Sequence, residues 1–341
     1  MTNWDAPNHI QLFRRHGRVI YACTTNIQLT ADNIDEKIAL IKHYIDNEHK
    51  ALTIALYNNK GGVGKTTTAI NLAGILSLPS PEGFAKKVLV LDFDPNQKDL
   101  TNLLNIDSGT IKLCDYLQNH KNMNIKNTIS PYQIEYKKGK FYKVFDVIPA
   151  DEQFLGLSSG TIISLGLGRL RKTLAQLLNE YDYIIIDAPP GNNYFTQEAI
   201  IASDVVLMPS KHNGLASFKN AAIAMTQIFP KLGSDRRAFD PELADPTPLP
   251  IFFNGEQISP TQKKQAQDAI TQIIKAAKKT DKIDLRNFFF PKYTDVKQDL
   301  SIFELPSYAH IASSAFSQRP AVISSKVARG YYKQLVEEYF L

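Results

Sequence analysis

The sequence contains little that would indicate a secreted, disulfide-linked or membrane-spanning protein. Its 341 residues include only two cysteines, Cys23 and Cys114, which lie far apart and form no CxxC pair. This argues against a disulfide framework or a zinc site and favours a reducing compartment. No apolar run is long enough to span a membrane, and the N-terminus lacks the apolar core of a signal peptide. We therefore expect a cytoplasmic location.

A strong charge of either sign is also absent, because the net charge is only +5. Any affinity for nucleic acid must therefore come from local clusters of lysine and not from the total charge. The composition, 43% hydrophobic and 21% charged, is ordinary for a globular protein, and the length allows one large α/β domain or two small ones.

The clearest pattern lies in residues 56–76, where an apolar strand, a glycine-rich loop and the start of a helix follow one another. Glycines allow successive backbone N–H groups to turn inward, and the helix start adds the positive end of its dipole. Lys65 adds a full positive charge. The loop therefore predicts a site for nucleotide phosphates. Its candidate residues are Lys60, Gly61, Gly62, Val63, Gly64, Lys65, Thr66 and Thr67.

Two details distinguish this loop from the pattern G-x-x-x-x-G-K-[ST]. The pattern requires glycine at position 59, where the chain has Asn59, one of the few other residues that tolerate a left-handed backbone. The string KGGVGKTT also begins with a second lysine, Lys60, which is the deviant Walker A motif. The sequence therefore resembles the ParA/MinD family of ATPases. The resemblance implies ATP and Mg²⁺ as cofactors and an ATP-sandwich homodimer, in which Lys60 reaches the phosphates on the partner subunit.

Strands and helices alternate after residue 50, which predicts an α/β fold with a doubly wound, mostly parallel sheet flanked by helices, as in P-loop NTPases. We expect residues 51–341 to form this ATPase domain. Residues 1–50 form an N-terminal extension with one helix, at about residues 31–47. A single helix leaves little room for a helix-turn-helix, which favours a packing, dimer-edge or partner-docking role over DNA reading. A lysine-rich connector near residues 137–143 has no function that its sequence reveals.

An apolar strand predicted over residues 87–94 ends in two carboxylates, Asp92 and Asp94. Ligands bind at the carboxyl ends of strands in such sheets. The segment resembles the family's switch I, which implies that Asp94 orients or activates the attacking water. Asp92 lies on the same side of the strand, so we expect it to face the Mg²⁺ region through water. The alternative is a solvated pair of acids at the end of a strand.

The segment YDYIIIDAPPGN is the second strong signal, because an apolar strand over residues 183–187 ends in Asp187 and is followed by Pro-Pro-Gly. This is the form of a Walker B strand. The resemblance implies that Asp187 holds Mg²⁺ through a water, and that residues 188–193 are a switch II that responds to phosphate. The alternative is that Asp187 caps the next turn. The predicted metal residues are Thr66, Asp92 and Asp187.

Two positions are candidates for contact with the adenine base. Asn254 follows the predicted strand PIFFN, where the family has an adenine-contacting asparagine. A second family contact, by a main-chain group or a proline after the last strand, would fall near Pro291 in FFFPKY. Either residue could instead be an ordinary turn residue.

A helix predicted over residues 259–282 has one apolar and one basic face. The apolar face contains Ala266, Ile270, Ile273, Ile274 and Ala277. The opposite face, interrupted mainly by Asp268, contains Lys264, Lys275, Lys278, Lys279 and Lys282. Such a stripe suits contact with phosphate backbones without sequence preference, although solvated lysine faces are common. ParA proteins bind nonspecific DNA as ATP dimers through basic residues in their C-terminal half, so the resemblance favours DNA.

The end of the chain distinguishes between subfamilies. MinD proteins end in a basic amphipathic helix that lies on the membrane, whereas this chain ends in LVEEYFL, with acidic residues among the apolar ones. We expect Val327, Tyr331 and Leu335 to pack on the domain, which disfavours membrane targeting.

The resulting hypothesis is a ParA-type partition ATPase. Its ATP dimer would bind nonspecific DNA, associate with the nucleoid, and release DNA when a ParB-type adaptor stimulates hydrolysis. The cargo could be a plasmid, a chromosome or a protein organelle such as a carboxysome. The alternatives are a MinD-like, membrane-associated ATPase that positions cell division, and a small-molecule ligase or kinase on the same fold.

Overall fold

A computed structural model describes residues 51–119, 121, 123–212, 215–239, 245–255, 258–293, 298–306, 308–312 and 318–340. The extension at residues 1–50 lies outside the described residues. Its predicted helix, its role and the proposed domain boundary therefore remain predictions.

The strands form one large sheet and one small sheet. In chain order they are β1 Leu52–Leu56, β2 Val88–Asp92, β3 Ser130–Lys137, β4 Lys140–Ile148, β5 Tyr183–Asp187, β6 Val205–Leu207, β7 Pro209–Ser210, β8 Thr247–Pro248, β9 Phe252–Asn254 and β10 Phe303–Leu305. The large sheet has the order β3-β4-β2-β5-β1-β6-β8, and every pair is parallel except the β3-β4 hairpin. The small sheet, β10-β9-β7, is parallel.

Helices connect the strands. They are α1 Lys65–Ser77, α2 Asp99–Leu104, α3 Leu113–Asn119, α4 Ser159–Leu165, α5 Arg169–Leu174, α6 Tyr194–Ala202, α7 Leu215–Ile223, α8 Phe229–Phe239, α9 Pro260–Thr280, α10 Arg286–Phe289, α11 Ala309–Ala312, α12 Ala321–Ser324 and α13 Lys326–Tyr339. A π-helical turn, Ala224–Ile228, joins α7 to α8, and 3₁₀ turns occur at Ile125–Thr128, Glu152–Gly156 and Ala175–Leu177.

The central strands are apolar on both faces because helices cover both sides of the sheet. Successive residues of β5 therefore enter different cores: Ile185 joins the cluster that contains α1, whereas Ile184 and Ile186 join the cluster that contains Leu170 and Leu174 of α5. This confirms the predicted doubly wound, mostly parallel fold. Strand β2 is shorter than predicted, because it ends at Asp92 and not at Asp94.

Helix α13 packs on the domain, as predicted. Leu335 is buried and Tyr331 packs half-buried against the core, whereas Val327 is 45% exposed, so its predicted packing role was wrong. At 100° per residue, Val327 falls well outside the stripe that faces the core. The buried residues of the helix are Ala328, Tyr332, Leu335, Val336 and Tyr339. In the described part of the chain, no helix is long and apolar enough to cross a membrane.

Candidate nucleotide-binding site

The glycine-rich loop connects β1 to α1 at the carboxyl edge of the large sheet. Gly62 and Gly64 have φ values of +71° and +90°, in the region that favours glycine, and Gly64 immediately precedes α1. Asn59 and Gly61 do not have positive φ. The expectation of a left-handed backbone at Asn59 was therefore wrong, and that conformation occurs at Gly62 and Gly64.

A buried asparagine that sequence reasoning missed fastens the start of the loop. The Nδ2 of Asn58 donates to the carbonyl of Pro209, at 2.9 Å, and to the hydroxyl of Ser217, at 2.8 Å. Its Oδ1 accepts from the backbone N–H of Lys60, at 3.0 Å. Asn58 thus ties the loop to β7 and α7. A polar residue at the end of an otherwise apolar strand was the available signal, since buried amides need partners.

The ammonium of Lys65 lies inside the site. The residue is only 8% exposed, and its Nζ donates to the carbonyl of Asn58 over a long 3.4 Å. Burial lowers the pKa of Lys65, although the negative charges of Asp187 and Asp94 oppose this effect. A buried ammonium with one long hydrogen bond is suited to an added anion, because phosphate oxygens would supply the missing acceptors.

Asp187 ends β5 between the ends of β1 and β2, where it pairs in register with Leu56 and Asp92. Burial, reinforced by the negative charge of Asp92, raises the pKa of Asp187 well above its usual range. The nearby Thr66 side chain opposes this rise in the pKa, and Oδ1 of Asp187 is buried with no hydrogen-bond partner among the described residues. Such an orphaned carboxylate oxygen next to a hydroxyl matches the hard oxygen ligands that Mg²⁺ prefers.

The donor set determines how Mg²⁺ would fit. No group of three His, Cys, Asp or Glu side chains converges within the described ranges. Mg²⁺ would therefore be held by few protein oxygens, with water and phosphate oxygens completing its coordination, which is its usual arrangement beside nucleotides. Asp187 and Thr66 fit that arrangement.

Both carboxylate oxygens of Asp92 accept hydrogen bonds from within the protein. Its Oδ2 accepts from the backbone N–H and the hydroxyl of Thr101, at 2.9 and 2.7 Å, and its Oδ1 accepts from the N–H of Asp94, at 3.3 Å. Burial raises the pKa of Asp92 to about 6. Helix α2 brings Thr101 over the end of β2. The approach of Asp92 to the Mg²⁺ region through water stays a prediction.

Asp94 closes the turn that follows β2. Its Oδ1 accepts from the N–H groups of Asn96 and Gln97, at 3.0 and 3.2 Å, and the residue is 8% exposed. Its Oδ2 has no hydrogen bond to any described residue, and its charge acts on Lys65. Asp94 therefore combines a turn-holding oxygen with a second oxygen that is available for a ligand or a water.

Asn254, at the end of β9, lies against the glycine-rich loop. Its Nδ2 donates to the carbonyls of Val63 and Gly64, at 3.1 and 3.3 Å, and to the hydroxyl of Thr68, at 3.4 Å. A Cβ on Gly64 would overlap this Nδ2. Asn254 therefore braces the loop, a role that its sequence did not reveal, and its contact with adenine remains a prediction.

Comparison with known proteins identifies the family. The profile of the AAA_31 family, described as an AAA domain, matches residues 51–227, which contain the loop, Asp94 and Asp187. The chain belongs to the ParA/MinD family of P-loop ATPases. The Soj protein of Bacillus subtilis, named a sporulation initiation inhibitor, is 35% identical over 157 residues, which cover 46% of this chain and 56% of Soj. The chromosome partitioning protein ParA of Myxococcus xanthus is 37% identical over 158 residues, which cover 46% of this chain and 50% of that protein.

The chain thus spans about half the length of these curated relatives. Among solved structures, Cyanothece McdA in an ATP complex aligns with a TM-score of 0.59 at 18% identity and covers 85% of this chain and 96% of McdA. The septum site-determining protein MinD of Pyrococcus horikoshii, complexed with Mg-ADP, aligns with a TM-score of 0.54 at 19% identity and covers 83% of this chain and 93% of MinD. At these identities the likeness shows the fold alone.

The proline that follows the last strand, which the ParA/MinD resemblance assigns to contact with the base, is not Pro291. The phenylalanines before Pro291 lie in and just after helix α10, not in a strand, so the predicted strand there was wrong. Asp284 favours the helix because its Oδ1 accepts from the N–H of Arg286, at 3.1 Å. The strand that follows β9 is β10, in which Leu305 pairs with Asn254, and the next residue is Pro306. Pro306, and not Pro291, therefore follows the last strand.

The predicted amphipathic helix forms as α9, with Ser259 as a capping residue at its start. Ala266, Ile270, Ile274 and Ala277 are buried and Ile273 is half-buried, which confirms the apolar face. The predicted basic residues Lys264, Lys275, Lys278, Lys279 and Lys282 are all exposed. Two details modify the stripe, since Lys282 lies beyond the end of the helix, and the Nζ of Lys278 is 3.5 Å from a carboxylate oxygen of Asp284.

Proposed function

We propose that this chain is a ParA-type partition ATPase that dimerises around ATP, binds nonspecific DNA, and releases DNA after hydrolysis. The observation that carries the proposal is the pair of lysines in one loop. Lys65 is buried inside the site, whereas Lys60 is half-buried and its side chain has no hydrogen bond or ion pair with the described residues. We infer from this difference that Lys65 would bind the protomer's own phosphates and that Lys60 would bind the phosphates of a partner.

The roles within the site follow from its contacts. Lys65 and the backbone of residues 61–67 would bind the phosphates of ATP, and Thr66 with Asp187 would hold Mg²⁺, which supplies positive charge to the phosphate oxygens. Asp94 would orient the attacking water through its available oxygen. Asn254 and Pro306 are the proposed base-side residues, with Pro306 replacing the predicted Pro291.

Replacement of Lys60 by alanine is expected to abolish ATP-dependent dimerisation while ATP still binds, because Lys65 and the loop backbone remain. Light scattering with and without ATP measures the dimer, and a nucleotide-binding assay measures the retained affinity. Lys326→Ala, an exposed lysine on α13, is the matched control and should dimerise normally. A Lys60→Ala protein that still dimerises with ATP would show that the cross-subunit role is wrong.

DNA binding is proposed to occur through the exposed lysines of α9. A dimer doubles the number of phosphate contacts, so retention should rise steeply with ATP. Association with the nucleoid would then be strongest in the ATP-bound state. A ParB-type adaptor that accelerates hydrolysis would release the DNA, and repeated cycles would position the cargo. The name of the Myxococcus xanthus relative, a chromosome partitioning protein, supports this proposal.

The double variant Lys275→Glu with Lys279→Glu is expected to weaken ATP-dependent DNA retention for every duplex sequence. Each lysine–phosphate contact that is lost should reduce the slope of log affinity against log salt concentration by roughly 0.9. Retention of duplexes of unrelated sequence, measured over a salt series, checks both effects. Lys121→Glu with Lys326→Glu makes the same change of charge elsewhere on the surface. Unchanged retention in the α9 variant would move the DNA contact to another surface.

The MinD-type alternative predicts membrane binding with ATP. A membrane-binding terminal helix needs an exposed apolar face, whereas α13 buries Tyr332, Leu335 and Val336 in the core. Vesicle binding with ATP and no DNA retention would favour the alternative, and ATP-dependent DNA retention would exclude it.

A further inference from the structure

The β3-β4 hairpin extends beyond the rest of the sheet. In the register of β4 with β2, Asp146 pairs with Leu89 and Ile148 pairs with Leu91. Residue 145 therefore lies beside the first residue of β2, Val88, and the residues before it have only β3 as a neighbouring strand. We name residues 134–143 the hairpin arm. About four residues of each strand project past the sheet, which corresponds to roughly 13 Å.

The core of the protein ends near the base of the arm, where Ile134 still packs half-buried against it. Tyr132 and Phe145 are buried there and stack with their ring centroids 4.9 Å apart. Beyond them, Tyr136, Phe141 and Tyr142 are 58%, 62% and 39% exposed. None of these three rings stacks on another ring among the described residues. Three large rings on a projecting two-stranded ribbon are more than the fold requires, and they mark an interaction surface.

The arm is also strongly basic. Its lysines are Lys137, Lys138, Lys140 and Lys143, and its acid is Glu135, whose Oε1 accepts from the N–H of Gly139 at 2.6 Å. Lys143 forms an ion pair with Asp146 at 2.7 Å, whereas the other three lysines form none with the described residues. Lys137 and Lys140 are direct cross-strand partners. Like charges in that position destabilise a hairpin, so an anion bound between them would offset their repulsion.

The arm projects from the edge of the sheet opposite the nucleotide site. β4 runs parallel to β2 and ends at Ile148, near the edge that carries Asp92, so Lys140 lies about 26 Å back along the strand. The basic end of α9 also lies away from the arm. Phe288, eight residues after the end of α9, accepts from the N–H of Ile251 between β8 and β9, and β8 lies at the other end of the strand order. The arm is therefore a basic surface separate from both the nucleotide site and the stripe of α9.

We propose that the hairpin arm is a second DNA-binding element, which enters a groove of duplex DNA. The major groove is about 12 Å wide and admits a two-stranded β-ribbon. The unpaired lysines would contact phosphates on either side, and the exposed rings would pack against sugars and base edges. Charge complementarity favours a polyanion over a protein partner.

A membrane surface fits the arm less well than DNA. Glu135 is the direct cross-strand partner of Phe141, so the two side chains share one face of the ribbon. Insertion of Phe141 into lipid would carry this carboxylate toward the apolar phase, at a large desolvation cost. In a DNA groove the same carboxylate can remain in water.

This inference shares its partner, DNA, with the proposed function, but the arm contains no residue of the nucleotide site and should contact DNA without ATP. The arm therefore gives each protomer a basal affinity for DNA, and ATP-driven dimerisation increases that affinity. β4 and β8 are separated by about five strand spacings, roughly 24 Å. A single protomer would thus contact a DNA duplex at two separate surfaces, the hairpin arm and α9. Substitutions can remove either contact while the other is kept.

The test is the affinity of the full chain for duplex DNA without nucleotide. Lys137→Glu with Lys140→Glu is expected to lower this affinity at least tenfold, and Phe141→Ser to lower it severalfold. Lys121→Glu with Lys326→Glu should leave it unchanged. Basal ATP hydrolysis should be normal in all of these variants, and Lys137→Gln with Lys140→Gln provides a neutral version that tests the same contact with less disturbance of the hairpin.

The outcomes separate the two proposals. Loss of nucleotide-free affinity in the arm variants supports the arm, even if ATP fails to increase DNA retention and the proposed partition cycle is thereby wrong. Equal affinity of the arm variants and the wild type would overturn the arm proposal while leaving α9 as the DNA surface. Stronger arm-dependent binding to single-stranded DNA, or to vesicles with anionic lipid, would overturn the assignment to a duplex groove.

Discussion

Replacement of Gly64 by alanine is expected to abolish nucleotide binding and to destabilise the fold, whereas the same change at Gly61 should leave stability almost unaltered. Gly64 has φ = +90°, and a Cβ there would overlap the amide nitrogen of Asn254. That amide donates to three groups of the loop and of α1, so it cannot move away without losing those bonds. The substitution therefore adds backbone strain to a steric clash.

The loop itself supplies graded controls. A Cβ at Gly61 meets nothing within 4 Å and Gly61 does not have positive φ, so Gly61→Ala should cost less than about 0.5 kcal/mol. Gly62 has φ = +71° with open space around it, so Gly62→Ala should cost about 1–2 kcal/mol from strain alone. Gly64→Ala should exceed both.

Thermal or denaturant unfolding without nucleotide measures the order of the three variants, and titration with ATP measures binding. The double variant Gly64→Ala with Asn254→Ala removes the clash and keeps the strain, so it should be more stable than the sum of the two single effects predicts. Equal stability of Gly61→Ala and Gly64→Ala would contradict the bracing role of Asn254.

The fold can be predicted from the sequence because its parallel strands are apolar and bounded by clear breaks. The strand that ends at Asp187 is predicted at its true limits, since both faces of β5 are covered by helices and the residues before Asp187 are buried. Strand ends near polar residues are harder to place. The pattern extends β2 to Asp94, but α2 and the turn at Asp94 end the strand at Asp92.

The glycine-rich loop and its lysines can be predicted because a local motif encodes them. Contacts between distant segments cannot be predicted in the same way. Asn58 is held by residues of β7 and α7, Asn254 braces the loop from β9, and Thr101 donates to one carboxylate oxygen of Asp92. Each of these contacts depends on tertiary packing, which periodicity does not report.

Two longer segments show the same limit. The phenylalanines before Pro291 have high β-propensity, yet a hydrogen bond from Arg286 to Asp284 and one from Ile251 to Phe288 favour a helix there. The lysine-rich connector has no function that its sequence reveals, because its meaning depends on register. Only the pairing of β4 with β2 shows that the hairpin arm projects past the sheet, and only its pairing with β3 shows that two lysines are opposed.

Replacement of Asp94 by asparagine is expected to lower ATP hydrolysis by about 10²–10⁴-fold while ATP binding persists. Asparagine keeps an oxygen that can accept from the N–H groups of Asn96 and Gln97, so the turn after β2 should be retained. It replaces the second, available carboxylate oxygen with an amide nitrogen, which cannot accept a proton from water. The difference in hydrolysis rate between Asp94→Asn and the wild type thus reports the chemical role of Asp94 separately from its structural role.

Asp99→Asn is the matched control, because Asp99 is an exposed acid whose charge also acts on Lys65 but which holds no part of the turn. The Asp99→Asn variant should hydrolyse ATP at close to the wild-type rate, measured as phosphate release at saturating ATP. Asp94→Ala should lose both the charge and the turn. A wild-type rate in Asp94→Asn would therefore reject the water-activating role, whereas a loss confined to Asp94→Ala would assign Asp94 to the turn alone.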